Sequence, residues 1–209
     1  MYELHYAPST ASLLPHMMLR ELGVPFTLKL VDREAGEQAS PDYLKLNPNG
    51  RIPVLVTDGQ PLYETAAIAL FIADRHPGLA PQPGAPDRAD YYKWMVHLAN
   101  TTQAEFRAWF YPHEYIDDPA HEASAKAAAG KRMMANFEVI AGQLEGRDWL
   151  LPSGFSAADL YLMMMVRWGR GLPHPPRDIP VLGAHAQRVL NRPAVQAALA
   201  EEGLTAPFI

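Results

Sequence analysis

The chain of 209 residues contains no cysteine. That absence removes disulfides, thiolate zinc sites, iron–sulfur ligation and a protein-borne redox dithiol, so any thiol chemistry draws on a thiol from outside. Basic residues are few: 18 Lys and Arg stand against 23 Asp and Glu, for a formal charge of −5. They are scattered, whereas a nucleic-acid-binding surface would show a basic stripe or cluster. Long apolar runs are also missing. The longest candidate, Leu160–Val166, falls well short of the roughly 18 residues of a membrane span. The start, MYELHYAPS, carries Glu3 and lacks the basic and apolar stretches of a secretory signal. The reading is a soluble, cytoplasmic chain whose partner is small or proteinaceous. The 48% of apolar residues suffices for a large core without covalent staples, in one large domain or two modest ones.

The first part of the chain alternates between strand and helix signals. Tyr2–Tyr6 alternates as a strand. Ser12–Leu22 places Leu13, Met17, Met18 and Leu22 near one helical face and stops at Gly23. Phe26, Leu28 and Leu30 alternate with Thr27, Lys29 and Val31 as a second strand, and a short helix fits Ser40–Leu46 before the turn NPNG. Val54–Thr57 and Pro61–Tyr63 flank Asp58-Gly59, a hairpin signal, and Glu64–His76 is helical. The order is βαβ, a loop or short helix, then ββα, which is that of an α/β thioredoxin-like domain with a mixed sheet over residues 1–78.

The stretch GLAPQPGAP, residues 78–86, has three prolines and two glycines and no apolar period, so 79–86 reads as a linker. Beyond it every pattern is helical: Asp87–Phe110, Ala120–Leu144, Ala157–Gly169, Val181–Leu190 and Pro193–Glu201. Residues 87–209 are therefore expected to form an all-α bundle. In FSAADL, Ser156 three residues before Asp159 is a capping box with a structural role.

Three segments carry chemistry. APSTASLLPH, residues 7–16, sets Ser9, Thr10 and Ser12 ahead of an apolar helix; one of Thr10 and Ser12 suffices as its cap, with Pro15 tolerated in the first turn, and Tyr6 is expected to be buried at the strand end. In NGRIPVL, Pro53 opens a strand. In a thioredoxin-like arrangement its bond to Ile52 is expected to be cis, turning the Ile52 N–H and C=O toward an extended peptide ligand. Glu64-Thr65 opens a helix, where Thr is an ordinary cap and Glu suits the macrodipole. The same pair fits an amino acid α-group, with carboxylate on Thr65 and ammonium on Glu64.

With these segments in this order, the whole chain resembles a cytosolic glutathione transferase: a cis-Pro at RIPVL, Glu-Thr where the family usually has Glu-Ser, a Pro-rich linker, a helical domain and the FSAADL box. The resemblance implies that Ile52, beside Pro53, pairs with the cysteinyl backbone of glutathione, that Glu64 and Thr65 hold its γ-glutamyl end, and that Arg33 and Arg51 anchor its glycine carboxylate. The opening segment is most similar to the bacterial beta class, but Ala11 stands where that class carries Cys, so mixed-disulfide chemistry through the protein is excluded. Aligned backwards from Gly23, Ser9 falls where the theta and zeta classes carry their catalytic Ser. A thiol with a pKa near 8.5 is only a few per cent ionised at neutral pH, so the site has to stabilise the anion; Ser9 ranks first as hydrogen-bond donor, then Thr10, then Ser12.

In the helical part, Phe106, Trp109, Phe110 and Tyr111, with Trp168, are candidates to line an apolar electrophile pocket. Gln103 stands near the place of a beta-class His. His113-Glu114 and His121-Glu122 do not form an H-E-x-x-H pattern, and no metal is expected. The resemblance implies a homodimeric transferase with glutathione as co-substrate. A glutathione-dependent isomerase, dehalogenase or disulfide reductase, or a non-catalytic binding protein, stands as the alternative on the same fold.

Overall fold

The computed structural model describes residues 1–209. They divide into two compact units, residues 1–82 with 189–208, and residues 83–188 with Ile209. No helix is long and apolar enough to cross a membrane.

The first unit is built on a four-stranded mixed sheet in the order β2-β1-β3-β4, from β1 (Tyr2–Tyr6), β2 (Phe26–Leu30), β3 (Val54–Thr57) and β4 (Gln60–Tyr63). β1 runs parallel to β2, and β3 is antiparallel to both β1 and β4. The register aligns four leucines in one row, Leu28, Leu4, Leu55 and Leu62, of which Leu4 and Leu55 are fully buried. Alternation puts the next row, led by Val54, on the opposite face, where it packs with Val31 and Tyr43 of α2 (Pro41–Leu46). Ser40 caps α2, accepting from the Tyr43 N–H at 3.2 Å.

Two helices follow strands β1 and β4: α1 (Leu13–Glu21) and α3 (Thr65–Arg75). α1 buries every residue from Leu13 to Leu19, polar His16 included. The last helix, α9 (Pro193–Glu201), lies beyond the linker in sequence but packs in this unit against α1, burying Val195, Ala198 and Leu199. Arg192 clamps the far end of α1 through a bidentate pair with Glu21, at 2.6 and 2.8 Å.

The second unit is helical. Asp87–Phe110, expected as one α-helix, is interrupted: α4 (Arg88–Val96) passes through a π-helical turn at His97–Thr102 into α5 (Gln103–Phe110). A single inserted residue per π turn keeps the apolar pattern nearly continuous, which is why periodicity alone does not expose it. α6 (Glu122–Leu144) packs along α5. α7 (Ala157–Trp168) is buried at every position from Ala157 to Arg167, as an all-round apolar helix must be. α8 (Pro180–Leu190) follows.

Asp159 anchors the start of α7. The capping box forms, and the carboxylate takes the Ser156 N–H at 2.8 Å, the Ser156 hydroxyl at 3.1 Å, the Leu150 N–H at 2.9 Å and His185 Nε2 of α8 at 2.9 Å. Asp159→Ala strands buried donors from three segments and is expected to cost about 3 kcal/mol or more. Ser156→Ala, losing only its share of the cap, is expected to cost about 1 kcal/mol. Denaturant midpoints of the two variants check this order.

Candidate active site

The sheet register decides which loops meet. His5 pairs with Val54, Val54 pairs with Tyr63, and Tyr6 pairs with Leu30, so the ends of β1, β2 and β4 and the start of β3 lie along one edge. Every sequence-predicted residue of the first unit lies just beyond that edge: Ser9, Thr10 and Ser12 after β1, Arg33 after β2, Arg51, Ile52 and Pro53 before β3, Glu64 and Thr65 after β4. In sheets flanked by helices, ligands bind outside the carboxyl ends of strands.

Asn47, unnoticed in the sequence, organises the segment before β3. Its Nδ2 donates to the Arg51 carbonyl at 2.7 Å, its Oδ1 accepts from the Asn49 N–H at 3.0 Å, and its own carbonyl accepts from Gly50 at 3.0 Å. The Tyr43 hydroxyl adds a second bond to the Arg51 carbonyl at 2.9 Å. Gly50 has φ 61, and a Cβ there would meet the Gln38 carbonyl oxygen at 3.1 Å, so glycine is required twice over. Only an asparagine in a turn signals this arrangement in the sequence. The Ile52–Pro53 bond is cis, and Ile52 lies two positions before Val54, the first ladder residue of β3, which leaves its peptide groups outside the sheet. Both Arg33 and Arg51 are exposed.

Glu64 holds φ 73 and ψ 113 at the N-cap of α3, and its side chain makes no cap bond. Thr65 is therefore the first helical residue rather than the cap, and it is buried. The first-turn N–H groups of a helix have no partner inside it. Here no side chain takes them, which leaves a donor set suited to an anion.

The hydroxyl cluster after β1 is arranged unequally. Ser12 stands at the N-cap of α1 but makes no cap bond; its Oγ is buried, donates to the Ala7 carbonyl at 3.1 Å and accepts from the Ala7 N–H at 3.3 Å. Thr10 Oγ1 also donates to the Ala7 carbonyl, at 2.8 Å, and lies 2.9 Å from Ser12 Oγ. The sequence expectation that one of the two caps α1 is thus corrected: both close the turn onto Ala7, the buried strand end. Ala11 is buried as well. Ser9 is half-buried, with φ 61, and its N–H donates to Glu202 Oε2 at 2.8 Å. Tyr6, expected to be buried, is half-buried, and desolvation together with the Glu202 and Glu201 carboxylates pushes its phenol above the ordinary value.

Beneath this turn lies a charge cluster absent from the sequence expectations. His16 is fully buried, with Nδ1 at 3.0 Å from Glu202 Oε1 and Nε2 at 2.8 Å from Glu201 Oε2. Arg20 Nε donates to Glu201 Oε2 at 2.9 Å, and its Nη2 to Glu201 Oε1. Burial would raise the Glu201 pKa, but hydrogen bonds from His16 and Arg20 and their positive charge prevail and hold it below 4.5. The side chains are nearly 190 positions apart, and nothing local in EEG, residues 201–203, marks them as partners of residue 16.

In the helical unit Phe106 is fully buried, so it backs the candidate lining instead of forming it. Its ring stacks on Phe110 at 5.9 Å and meets Trp168 edge-on at 5.7 Å, while Tyr111 meets Phe110 at 6.5 Å. Phe110 is 45% exposed, the most open of the group. Gln103 accepts a hydrogen bond from the Tyr161 hydroxyl and is occupied within the unit. No group of three or more His, Asp or Glu side chains is placed to hold a metal ion.

Residues 9–75 match the family model of the glutathione S-transferase N-terminal domain, and residues 104–193 that of the C-terminal domain. A glutathione S-transferase of Xanthomonas campestris, GST-4.5, is 34% identical over 97% of this chain and 99% of its own. This chain belongs to the glutathione S-transferase family. Among solved structures, a sphingomonad glutathione S-transferase complexed with glutathione is 37% identical, covers 97% of this chain and 100% of its own, and superposes with a TM-score of 0.85. The Xylella fastidiosa glutathione-S-transferase reaches a TM-score of 0.90 at 29% identity, over 98% of this chain and 100% of its own.

Two stability predictions follow from the geometry. A non-glycine residue in the conformation of Glu64 stores about 1–3 kcal/mol, and glycine forfeits about 0.5–1 kcal/mol of chain entropy, so Glu64→Gly is expected to raise the unfolding free energy by about 1 kcal/mol. Urea unfolding measures it. Because the folded Glu201 pKa is depressed, its contribution to stability is complete above pH 4.5 and is lost as the pH falls through the lower folded value. Glu201→Gln is expected to flatten that acid limb in a series of unfolding midpoints against pH.

Proposed function

We propose that the protein is a glutathione transferase that binds glutathione along the sheet edge, ionises its thiol and directs the thiolate at a small apolar electrophile. The observation that carries this reading is the convergence on one edge of two uncapped helix N-termini and a peptide segment, Ile52–Pro53, outside the sheet. A γ-glutamyl peptide offers a matching set: a carboxylate for the N-terminus of α3 at Thr65, an ammonium for Glu64, an extended backbone for Ile52, and a terminal carboxylate for Arg33 and Arg51.

Ser9 is the donor to the sulfur in this reading. Thr10 and Ser12, the other two candidates, already direct their hydroxyls at the Ala7 carbonyl, and using either would break a bond that closes the turn. The thiol proton leaves to solvent, the Ser9 O–H donates to the sulfur anion at the N-terminus of α1, and the thiolate forms the new bond to the electrophile as its leaving group departs. Because Ala11 supplies no sulfur, the nucleophile is always that of glutathione. Phe110, Tyr111 and Trp168, backed by Phe106, are the helical unit's candidates to contact the apolar electrophile. The working form in this reading is a cytoplasmic homodimer, on the strength of the family resemblance.

Calorimetric titration with glutathione tests binding; absence of heat at millimolar ligand would overturn the assignment. The donor is tested by following thiolate absorbance against pH in the complex. Ser9→Ala is expected to raise the bound thiol pKa by about one unit, a tenfold loss of thiolate at neutral pH, with less than about threefold change in glutathione affinity. An unchanged pKa transfers the role away from Ser9.

A further inference from the structure

The Ser9 turn is held from a remote part of the chain. Ser9 sits at φ 61, where a side chain is disfavoured, and a conformation of that kind persists only when its surroundings impose it. Within the turn, Thr10 and Ser12 bond back to Ala7. The Ser9 N–H instead meets Glu202 Oε2, a buried carboxylate 193 positions away, in a charge-assisted bond of 2.8 Å.

Glu202 is itself fixed. Its side chain is fully buried, and its second oxygen faces His16 Nδ1 at 3.0 Å. The other imidazole nitrogen faces Glu201, which Arg20 grips in turn. Ahead of this pair, Arg192 and Glu21 pin the start of α9 to the end of α1. The carboxylate that meets Ser9 is thus located by two separate attachments of α9 to α1, so it does not depend on the conformation of the Ser9 turn.

We infer that Glu202 is the positioning residue of the site: through the Ser9 main-chain N–H it holds the left-handed turn that aims the Ser9 hydroxyl at the glutathione sulfur. The inference rests on the assignment of Ser9 as donor. Glu202 never touches the sulfur and acts through backbone geometry, so its loss and its charge have opposite consequences. Removing a nearby negative charge by itself lowers the pKa of a thiol, whereas losing the turn raises it.

The test is the pKa of bound glutathione, read from thiolate absorbance, in wild type, Glu202→Ala, Glu202→Gln, Ser9→Ala and the Ser9→Ala/Glu202→Ala double variant. Glu202→Ala is expected to raise the pKa by about one unit, a tenfold loss of thiolate at neutral pH. Glu202→Gln is expected not to raise the pKa, because an amide oxygen still accepts the Ser9 N–H while its NH2 faces His16 Nδ1. The double variant is expected to match Ser9→Ala or lie slightly below it, because only the lost charge then separates the two. Glu202→Asp keeps the charge but withdraws the carboxylate by one methylene; it carries the test if the alanine variant does not fold, with the same rise expected.

A lowered or unchanged pKa in the variant that carries the test, Glu202→Ala or Glu202→Asp, beside a raised one in Ser9→Ala, overturns the inference and leaves the donor assignment standing. A full additional rise in the double variant also overturns it, since Glu202 would then act without Ser9. An unchanged pKa in Ser9→Ala removes the donor assignment, and this inference with it.

Discussion

The row Leu28, Leu4, Leu55 and Leu62 runs across all four strands, and the position of every candidate residue in the first unit depends on it. Side chains alternate between faces with a period of two, so a slip of one residue in any strand would expel its leucine from the row, and in β1 or β2 it would bring a polar or charged neighbour in. Burial of Leu4 and Leu55 opposes that slip, at roughly 1.5–3 kcal/mol for each leucine lost to solvent. With the register set, four strand ends fall on one edge, and four loops with little in common in sequence become neighbours. The chemistry is carried by loops, but their meeting is a property of the core.

Much of this was legible in the sequence because it is local. Strand alternation, the Asp58-Gly59 hairpin and the apolar period of α1 and α3 are each written within a few residues, and the elements stand within one or two positions of where the pattern puts them. The motifs RIPVL and Glu64-Thr65 carry their own backbone signals. Elements whose meaning depends on distant partners were not legible. Pro193–Glu201 reads as one more helix of a bundle beginning at 87, yet its apolar face is buried on α1, and residues 189–208 pack with the first unit. Nothing in the amphipathic pattern of a helix names the surface it covers.

The hydroxyls show a subtler limit. Ser, Thr and Asn side chains compete for backbone groups at helix starts and in turns, and the sequence specifies only that a competition takes place. In α2 the cap wins, with Ser40 on the Tyr43 N–H. At α1 the strand end wins, with Thr10 and Ser12 both drawn to Ala7. The difference is physical: Ala7 is buried just after β1, where an unpartnered peptide group costs about 1–3 kcal/mol, while the Leu13 N–H at the start of α1 already meets the Thr10 carbonyl at 3.1 Å. Folding the hydroxyls inward satisfies the costlier groups.

The carboxylates beneath the Ser9 turn come with partners of their own. The two would repel an anion if they stood alone, and they add to the burial that raises the Tyr6 pKa. Glu201 and Glu202 do not stand alone. His16 offers one ring nitrogen to each, and Arg20 adds a fork to Glu201. A carboxylate paired with a cation exerts a shorter-ranged field than a lone one, so the Arg20 fork shortens the reach of the Glu201 charge. Geometry and electrostatics therefore converge on one residue: the buried His16 that meets Glu202 at the Ser9 turn also meets Glu201 beside Arg20.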